Sequence, residues 1–191
     1  MNPHPTPEIP LGPAIAPGRA DAAYDVVFLD RDGTINVRRP GSYVRSPDEL
    51  VLLPGAAAAV GALNVAGIRV VLVTNQRGIA TGAMTAADVE RVHERLAELL
   101  AAQGAWLDAI EVCPHHVGSC SCRKPLPGLF LRGLARARWA QAEKCALVGD
   151  ATTDIEPALG LGMRALLLGR DAPDLSEAVA LLLGARDAVP R

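Results

Sequence analysis

The sequence is poor in aromatic residues, carries no excess of either charge and contains no long apolar run. Aromatic side chains make up 3% of the 191 residues while 50% of residues are hydrophobic, so leucine, valine, isoleucine and alanine must fill the core. A formal net charge of -2 gives no basic surface for nucleic acid or for an anionic membrane. No apolar stretch approaches the roughly 18 residues that a membrane span requires. Length and composition therefore predict one soluble domain with neither of these partners.

The first 22 residues stand apart because they are rich in proline and lack the basic and continuous apolar stretches of a signal peptide. Their prolines are Pro3, Pro5, Pro7, Pro10, Pro13 and Pro17. Repeated proline favours extended chain that does not pack into a core. We therefore expect a disordered tail over residues 1–22, one domain over residues 23–191 and a cytoplasmic location.

Short apolar runs alternate with longer amphipathic segments through the rest of the chain. The predicted strands cover residues 25–30, 68–74, 109–113, 145–149 and 164–168. The predicted helices cover residues 54–66, 85–103, 127–139, 153–161 and 176–183. This alternation predicts an α/β fold, with a mostly parallel, Rossmann-like sheet and helices on both faces. Ligands of such folds bind beyond the carboxyl ends of the strands.

Acidic residues follow two of the predicted strands. Asp30 directly continues an apolar strand, where a charge is costly unless it is paired or bound to a metal. Asp32 precedes Gly33, and taken alone this pair is equally typical of a simple turn. Asp150 ends the fourth strand; if the two strands are neighbours, the acids converge and a hard cation such as Mg²⁺ neutralises them. Asp154 is either another acid of this site or a first-turn helix acid.

Hydrogen-bond donors and a lysine lie at other strand ends or loops. Thr74, Asn75 and Gln76 end the second predicted strand, and Arg123 and Lys124 follow a cysteine-rich loop. Donors and a lysine placed opposite a metal ion form a clamp for phosphate. For Arg123 and Lys124 alone, a solvated surface pair is the alternative interpretation.

Three cysteines and two histidines fall within ten residues, at Cys113, His115, His116, Cys120 and Cys122. Thiolates and imidazole at this spacing can close a tetrahedral zinc site, and four protein ligands would make that zinc structural. The alternative is a set of free thiols in an ordinary loop. The spacing leaves open which of the two histidines binds.

Four motifs, Asp-x-Asp-Gly-Thr, Thr-Asn, Lys-Pro and Gly-Asp-x-x-x-Asp, occur in this order between residues 24 and 168. Together they resemble the motifs of the haloacid dehalogenase (HAD) superfamily. The resemblance implies a HAD-like fold and a magnesium-dependent phosphoric monoester hydrolase acting on a small phosphorylated metabolite. Only one predicted helix lies between the first and second motifs, and one between the second and third, so we expect no large cap domain.

The resemblance also implies roles for individual residues. Asp30 would attack phosphorus to form an aspartyl phosphate, and Asp32 would protonate the leaving oxygen and later activate water. Thr74 and Lys124 would stabilise the transferring phosphoryl group. Mg²⁺ would be held by Asp30, Asp150 and the backbone carbonyl of Asp32.

The cysteine-rich loop is similar to that of the D-glycero-D-manno-heptose 1,7-bisphosphate phosphatases and the related histidinol phosphatases. This resemblance implies one zinc-binding loop that acts as a rigid wall beside Lys124 and does not use His116. The implied ligands are Cys113, His115, Cys120 and Cys122. One departure is Ala151, where the heptose enzymes have a lysine that is a candidate phosphate contact.

We therefore expect an enzyme that removes the C7 phosphate of heptose 1,7-bisphosphate. Alternatives are a histidinol phosphatase or another small-molecule phosphomonoesterase and, from a different class, a non-catalytic zinc-binding interaction module. Asn75, Gln76 and Arg123 are candidate substrate-binding residues. Arg38 and Arg39 either bind the distal phosphate or are solvated charges on a flap. The expected oligomeric state is a monomer or a small homo-oligomer.

Overall fold

The computed structural model describes residues 10–184, which form a five-stranded sheet covered by helices. The strands are β1 (Val26–Leu29), β2 (Arg69–Asn75), β3 (Ala109–Cys113), β4 (Cys145–Gly149) and β5 (Arg164–Leu167). They lie in the order β3-β2-β1-β4-β5, and all neighbouring strands are parallel. The predicted α/β fold with a parallel sheet is confirmed.

The central strand β1 explains why the acidic residues meet. All four of its residues are fully buried, as expected of a parallel strand covered on both faces. Its last residue, Leu29, is aligned with Leu72 of β2 and with Val148 of β4. Because the three strands are parallel, their carboxyl ends share one edge of the sheet, where β4 continues to Gly149 and β2 to Asn75.

Five helices connect and cover the strands. They are α1 (Ala56–Val65), α2 (Ala86–Ala101), α3 (Gly128–Arg136), α4 (Thr152–Gly160) and α5 (Leu175–Gly184). Thr85 caps α2, because its hydroxyl accepts from the Asp88 amide while the Asp88 carboxylate accepts from the Thr85 amide. Such a reciprocal box satisfies two amides that the first helical turn would otherwise leave unpaired.

The helices pack on opposite faces of the sheet and create two apolar clusters. Leu63 of α1, Leu96 of α2 and Leu182 of α5 belong to one cluster. Phe130 of α3 and Ile155 of α4 belong to the other. The prediction of helices on both faces is therefore confirmed, and β1 contributes side chains to each cluster.

The prediction of a disordered tail over residues 1–22 is wrong for residues 10–19, which lie against the domain. Residues 1–9 lie outside the described residues. Proline removes an amide donor but keeps its carbonyl oxygen, so a proline-rich segment can still accept hydrogen bonds. The composition of the segment shows that its prolines lack amide donors. It does not show which side chains of the domain donate to the carbonyl oxygens of the segment.

Arginine and tryptophan side chains hold this N-terminal segment. Trp139 Nε1 donates to the Ile15 carbonyl over 2.8 Å, and Arg69 Nε donates to the Ala16 carbonyl over 2.9 Å. The Ile15 amide donates to the carbonyl of Arg136 over 2.8 Å. The Ile15 side chain is buried in the cluster formed with α3 and α4. The segment is thus part of the packed structure.

Within residues 10–184, no helix has both the length and the apolar character that a membrane crossing needs. The same part of the chain contains no separate cap domain, because α1 and α2 are the only α-helices between β1 and β3. No cap domain within this range therefore covers the edge of the sheet that carries the acidic residues.

Replacing the buried anchor of the N-terminal segment is expected to destabilise the domain. Ile15→Ala should lower the free energy of unfolding by about 2 kcal/mol, because it removes buried methylene groups at a rim that can partly relax. Leu11→Ala is the matched control, since Leu11 is 47% exposed. Denaturant unfolding measures both; equal stability of the two variants would show that the segment is not docked in solution.

Candidate active site

A cavity of about 360 Å³ opens at the carboxyl ends of β1, β2 and β4. Each of these strands delivers polar side chains to it, because adjacent parallel strands end at the same edge of the sheet. Every residue that the sequence assigned to catalysis or substrate binding lines this cavity: Asp30, Asp32, Arg38, Arg39, Thr74, Asn75, Gln76, Arg123 and Lys124. The structure thus brings together residues that are up to 94 positions apart.

A buried lysine sits between two carboxylates at the base of the cavity. Lys124 Nζ lies 2.6 Å from Asp30 Oδ1 and 2.6 Å from Asp154 Oδ1, and it also donates to the Val73 carbonyl over 2.8 Å. Burial raises the pKa of Asp30 to about 6 even though Lys124 opposes this effect. A cation bound beside Asp30 would favour its ionised form, which is the nucleophilic one.

Three carboxylates form the group that could hold Mg²⁺. Asp30, Asp150 and Asp154 present oxygens that all lie within 4.8 Å of one another. Gly33 makes room for them: its φ is +95°, and a Cβ there would lie 2.1 Å from Asp150 Oδ2. Hard oxygen donors with excess negative charge fit Mg²⁺. Asp154, which the sequence left undecided, is therefore part of this cluster and also caps α4 through the Ala151 amide.

Asp32 belongs to a different network from the metal-binding group. Arg31 Nη2 donates to both of its carboxylate oxygens, at 3.0 and 2.7 Å, and Asn36 and Gln76 each donate one more bond at 3.0 Å. Burial disfavours the charge of Asp32, but Arg31 and the other donors outweigh it and lower the pKa of this carboxyl. The Asp32 carboxylate is therefore held in one orientation and is not free to bind a metal.

The three polar residues at the end of β2 have different partners. Thr74 is buried, and its hydroxyl accepts a 2.8 Å bond from Gln76 Nε2. Asn75 is bound on both sides of its amide group, donating to the Lys124 carbonyl over 3.0 Å and accepting from the Lys124 amide over 3.1 Å. Asn75 thus fixes the backbone that carries the lysine, and its substrate contact stays a prediction.

The two arginines of the predicted flap are held by carboxylates. Arg38 Nη1 donates to Asp150 Oδ2 over 2.8 Å, although its side chain is 58% exposed. Arg39 Nη1 lies 2.7 Å from Glu49 Oε2, away from the metal-binding group. Arg38 therefore touches the group that could hold Mg²⁺, whereas Arg39 lines the cavity without doing so.

Two further arginines bring positive charge into the cavity. Arg77 Nε donates to the Tyr43 hydroxyl over 3.4 Å. Arg123 has one buried guanidinium nitrogen, Nη1, that finds no hydrogen-bond partner among the described residues. Unsatisfied buried donors that line a cavity are available to an anionic ligand.

Cys113, His115, Cys120 and Cys122 meet beside the lysine-bearing loop. The Sγ and Nδ1 atoms of neighbouring members lie 3.2 to 3.7 Å apart. Tetrahedral zinc with bonds of about 2.0–2.3 Å would place its ligands roughly 3.3–3.8 Å apart, so these donors fit that ion. His116 is not a member of the group. The sequence spacing allowed either histidine, and in this geometry it is His115 that joins the three cysteines.

The sequence prediction missed the residues that hold Asp32. The sequence motifs assign no role to Arg31, to Asn36 or to His93, whose Nε2 lies 3.1 Å from Arg31 Nη1. A signal existed for His93, because a histidine among the apolar residues of an amphipathic helix is unusual.

A parallel sheet with carboxylates after β1 and β4 and a buried lysine between them is the arrangement of an α/β phosphatase. The model of the haloacid dehalogenase-like hydrolases matches residues 19–162. The chain belongs to this family and is a phosphoric monoester hydrolase.

The chain is similar to named relatives over most of their length. It is 44% identical over 133 residues to the D-glycero-alpha-D-manno-heptose-1,7-bisphosphate 7-phosphatase of Mycobacterium tuberculosis, covering 69% of this chain and 70% of the relative. It is 39% identical over 138 residues to the corresponding beta-anomer enzyme of Bordetella bronchiseptica, covering 72% and 76%.

A solved structure gives the same result for the fold. The crystal structure of D,D-heptose 1,7-bisphosphate phosphatase from B. bronchiseptica, complexed with magnesium and phosphate, matches with a TM-score of 0.76 and 34% identity. The match covers 84% of this chain and 98% of that one. The predicted HAD-like fold is therefore confirmed.

Removing Arg38 is expected to tighten Mg²⁺ binding. The Arg38 guanidinium pairs with Asp150 and repels a Mg²⁺ ion bound there. Arg38→Ala removes this charge, so the Kd for Mg²⁺ should fall about two- to fivefold, as for a single exposed ion pair. Calorimetric titration with Mg²⁺ measures it. Arg39→Ala is the matched control and should leave the affinity unchanged. Unchanged or weaker binding by Arg38→Ala would contradict the assignment.

Proposed function

We propose that this protein is a magnesium-dependent phosphatase that removes the C7 phosphate of D-glycero-D-manno-heptose 1,7-bisphosphate. The observation that carries the proposal is that one cavity holds both the Asp30–Lys124 pair and two arginines that are not tied to carboxylates there, Arg77 and Arg123. A substrate with two phosphates needs a clamp for the reacting group and separate cations for the other. The names of the relatives support this substrate.

In the first half of the reaction, Asp30 acts as the nucleophile. One of its carboxylate oxygens attacks phosphorus while the bond between phosphorus and the sugar oxygen breaks, and an aspartyl phosphate forms. Asp32, which must first be protonated against the hydrogen bonds that favour its carboxylate, gives that proton to the departing sugar oxygen. Thr74 and Lys124 supply a hydroxyl and a positive charge for the phosphoryl oxygens, which suits a transfer that needs chiefly positioning and charge neutralisation.

In the second half, the same two acids exchange tasks. Asp32, now a carboxylate, takes a proton from a water molecule, whose oxygen attacks phosphorus. The bond between Asp30 and phosphorus breaks, and inorganic phosphate leaves. The hydrogen bonds from Arg31, Asn36 and Gln76 favour the carboxylate form that this step requires.

We propose that Asp30, Asp150 and the backbone carbonyl of Asp32 hold Mg²⁺, with Asp154 nearby. Their oxygen donors suit this ion, which would neutralise charge on the transferring phosphoryl group. The excess of carboxylates over Lys124 leaves a net negative charge for the ion to balance.

We also propose that the group formed by Cys113, His115, Cys120 and Cys122 binds a structural zinc ion. Four protein donors leave no open position for a substrate, so the role is to hold the loop that leads into Arg123 and Lys124. None of the four cysteines forms a disulfide, which suits a reducing compartment such as the cytoplasm.

The other candidate functions are less well supported. The named relatives point to heptose bisphosphates and not to histidinol phosphate. A non-catalytic zinc-binding module would have no need of the buried Lys124, which lies between Asp30 and Asp154. Ala151 leaves the cavity without a lysine at that position, but Arg38 brings a cation to the neighbouring Asp150.

Phosphate release from a small panel of substrates tests the proposed activity. With Mg²⁺ present, we expect the highest kcat/KM for heptose 1,7-bisphosphate, with heptose 1-phosphate, histidinol phosphate and an aryl phosphate much poorer. Both anomers of the bisphosphate are included. Asp30→Asn should lower kcat by about 10³-fold or more, because it removes the nucleophile.

The panel separates the alternatives. Preference for histidinol phosphate would replace the proposed substrate while keeping the mechanism. If no substrate of the panel releases phosphate in a magnesium-dependent way, the proposed enzyme activity is wrong. Full activity of Asp30→Asn would exclude the covalent route.

Loss of zinc is expected to destabilise the protein and slow the reaction. His115→Ala should lose the zinc, lower Tm by about 10 °C or more and reduce kcat, because binding energy at a structural site is folding energy and the loop carries Lys124. His116→Ala is the matched control. Metal analysis and thermal unfolding measure both variants; zinc retained by His115→Ala, or lost equally by His116→Ala, would contradict the proposed ligands.

A further inference from the structure

The carboxylate of Asp32 depends on a residue that is itself buried. Arg31 is 0% exposed, and its Nη2 atom reaches both carboxylate oxygens of Asp32. A guanidinium in this setting is costly unless its donors are satisfied. Its Nε finds no partner among the described residues, so the position of the group depends on the contacts of its two terminal nitrogens.

The second terminal nitrogen meets a histidine from another element. Arg31 Nη1 lies 3.1 Å from His93 Nε2, and the two residues are 62 positions apart. Guanidinium has no lone pair to offer, so His93 Nε2 must be the acceptor and the ring must be neutral. Burial, with the charge of Arg31, lowers the pKa of His93 to about 3, in agreement with a neutral ring.

His93 is placed by α2, which at 16 residues is the longest helix within residues 10–184. It lies on the buried side of α2 with Val89, Val92 and Leu96, and it is 8% exposed. The capping box at Thr85 fixes the start of that helix. An apolar side chain would serve packing at this site equally well, but it would leave Arg31 Nη1 without its acceptor. The imidazole of His93 therefore contributes a hydrogen-bond acceptor as well as packing.

We propose that His93 is a positioning residue: it fixes Arg31, and Arg31 holds the Asp32 carboxyl in the orientation that protonates the leaving oxygen. His93 touches neither the cavity nor the reacting atoms, so its effect must pass through Arg31. The inference rests on the proposed function, because it takes Asp32 as the acid of the first half-reaction.

This role predicts an effect that depends on the leaving group. A sugar oxygen leaves as a strongly basic alkoxide unless it is protonated, whereas p-nitrophenoxide is a weak base that leaves without help. A misplaced Asp32 should therefore slow the sugar substrate far more than p-nitrophenyl phosphate. A purely structural defect would misplace Asp30 and Lys124 as well and would slow both substrates alike.

The experiment compares kcat/KM for heptose 1,7-bisphosphate and p-nitrophenyl phosphate, at saturating Mg²⁺, in the full chain. His93→Leu removes the acceptor but keeps an apolar side chain, and His93→Gln keeps an acceptor oxygen. We expect His93→Leu to lose about 10- to 100-fold on the sugar, part of the effect typical of a general acid. The loss on the aryl substrate should stay within about threefold. His93→Gln should recover most of the sugar activity.

A double variant tests whether the effect passes through Asp32. In an Asp32→Asn background, His93→Leu should cost less than about twofold on the sugar substrate, because residues that act as a unit are not additive. Equal losses on the two substrates, no loss at all, or full additivity with Asp32→Asn would each overturn the proposal. If His93→Leu fails to fold, His93→Met takes its place, since it also fills the apolar site without a strong acceptor.

The wild-type protein separates this inference from the proposed function. Magnesium-dependent release of phosphate that Asp30→Asn abolishes would uphold the proposed function whatever the His93 variants do. In contrast, a normal wild-type enzyme whose His93→Leu variant shows no leaving-group dependence would reject the positioning role alone.

Discussion

The ion pair between Asp30 and Lys124 is the contact on which the rest of the site depends. Asp30 continues a strand that is buried on both faces, so its charge needs a partner close by. Lys124 supplies it at 2.6 Å, and Asn75 holds the lysine backbone from the neighbouring strand. Breaking such a buried pair typically costs about 3–5 kcal/mol, because one charge is left uncompensated. The nucleophile is thus stable in place only when the loop that carries Lys124 is also in place.

Because Asp30 depends on the loop that carries Lys124, a structural role follows for the cluster of Cys113, His115, Cys120 and Cys122, three of which lie in the same loop. The chain between β3 and α3 has no regular secondary structure, yet it must deliver one buried ammonium group to a fixed point. In the absence of a helix or strand, this loop is constrained by Asn75 at the Lys124 backbone and by a group of four donors whose last member, Cys122, lies two residues before Lys124. A metal there would fix the loop without taking part in the chemistry. The same reasoning explains why Lys124 can be buried although it lies on a loop.

The sequence predicted most of the fold because the signals were local. Each strand and helix appeared within about three residues of its predicted place, and the strand ends located Asp30 and Asp150 in one cavity. The missed features depend on contacts between distant segments. His93 stands out on the apolar side of its helix, but its partner Arg31 lies 62 positions away in the sequence. Ile15 lies in a proline-rich stretch, and the side chain that binds its carbonyl, Trp139, is 124 positions away. Periodicity and composition carry no information about such pairs.

In a site without a cap domain, the catalytic side chains must be held in position by the residues packed behind them. A phosphatase with a large cap can exclude water and align its groups by closure, whereas the described part of this chain has only a flap and loops around the cavity. The alignment of its groups must then exist before the substrate arrives. Both acids are held in this way. Lys124 pairs with Asp30, and Arg31, which is bound by His93, donates to Asp32. Arg77 and Arg123, which line the cavity and form no ion pair within the described residues, are the parts left free to adapt to the substrate.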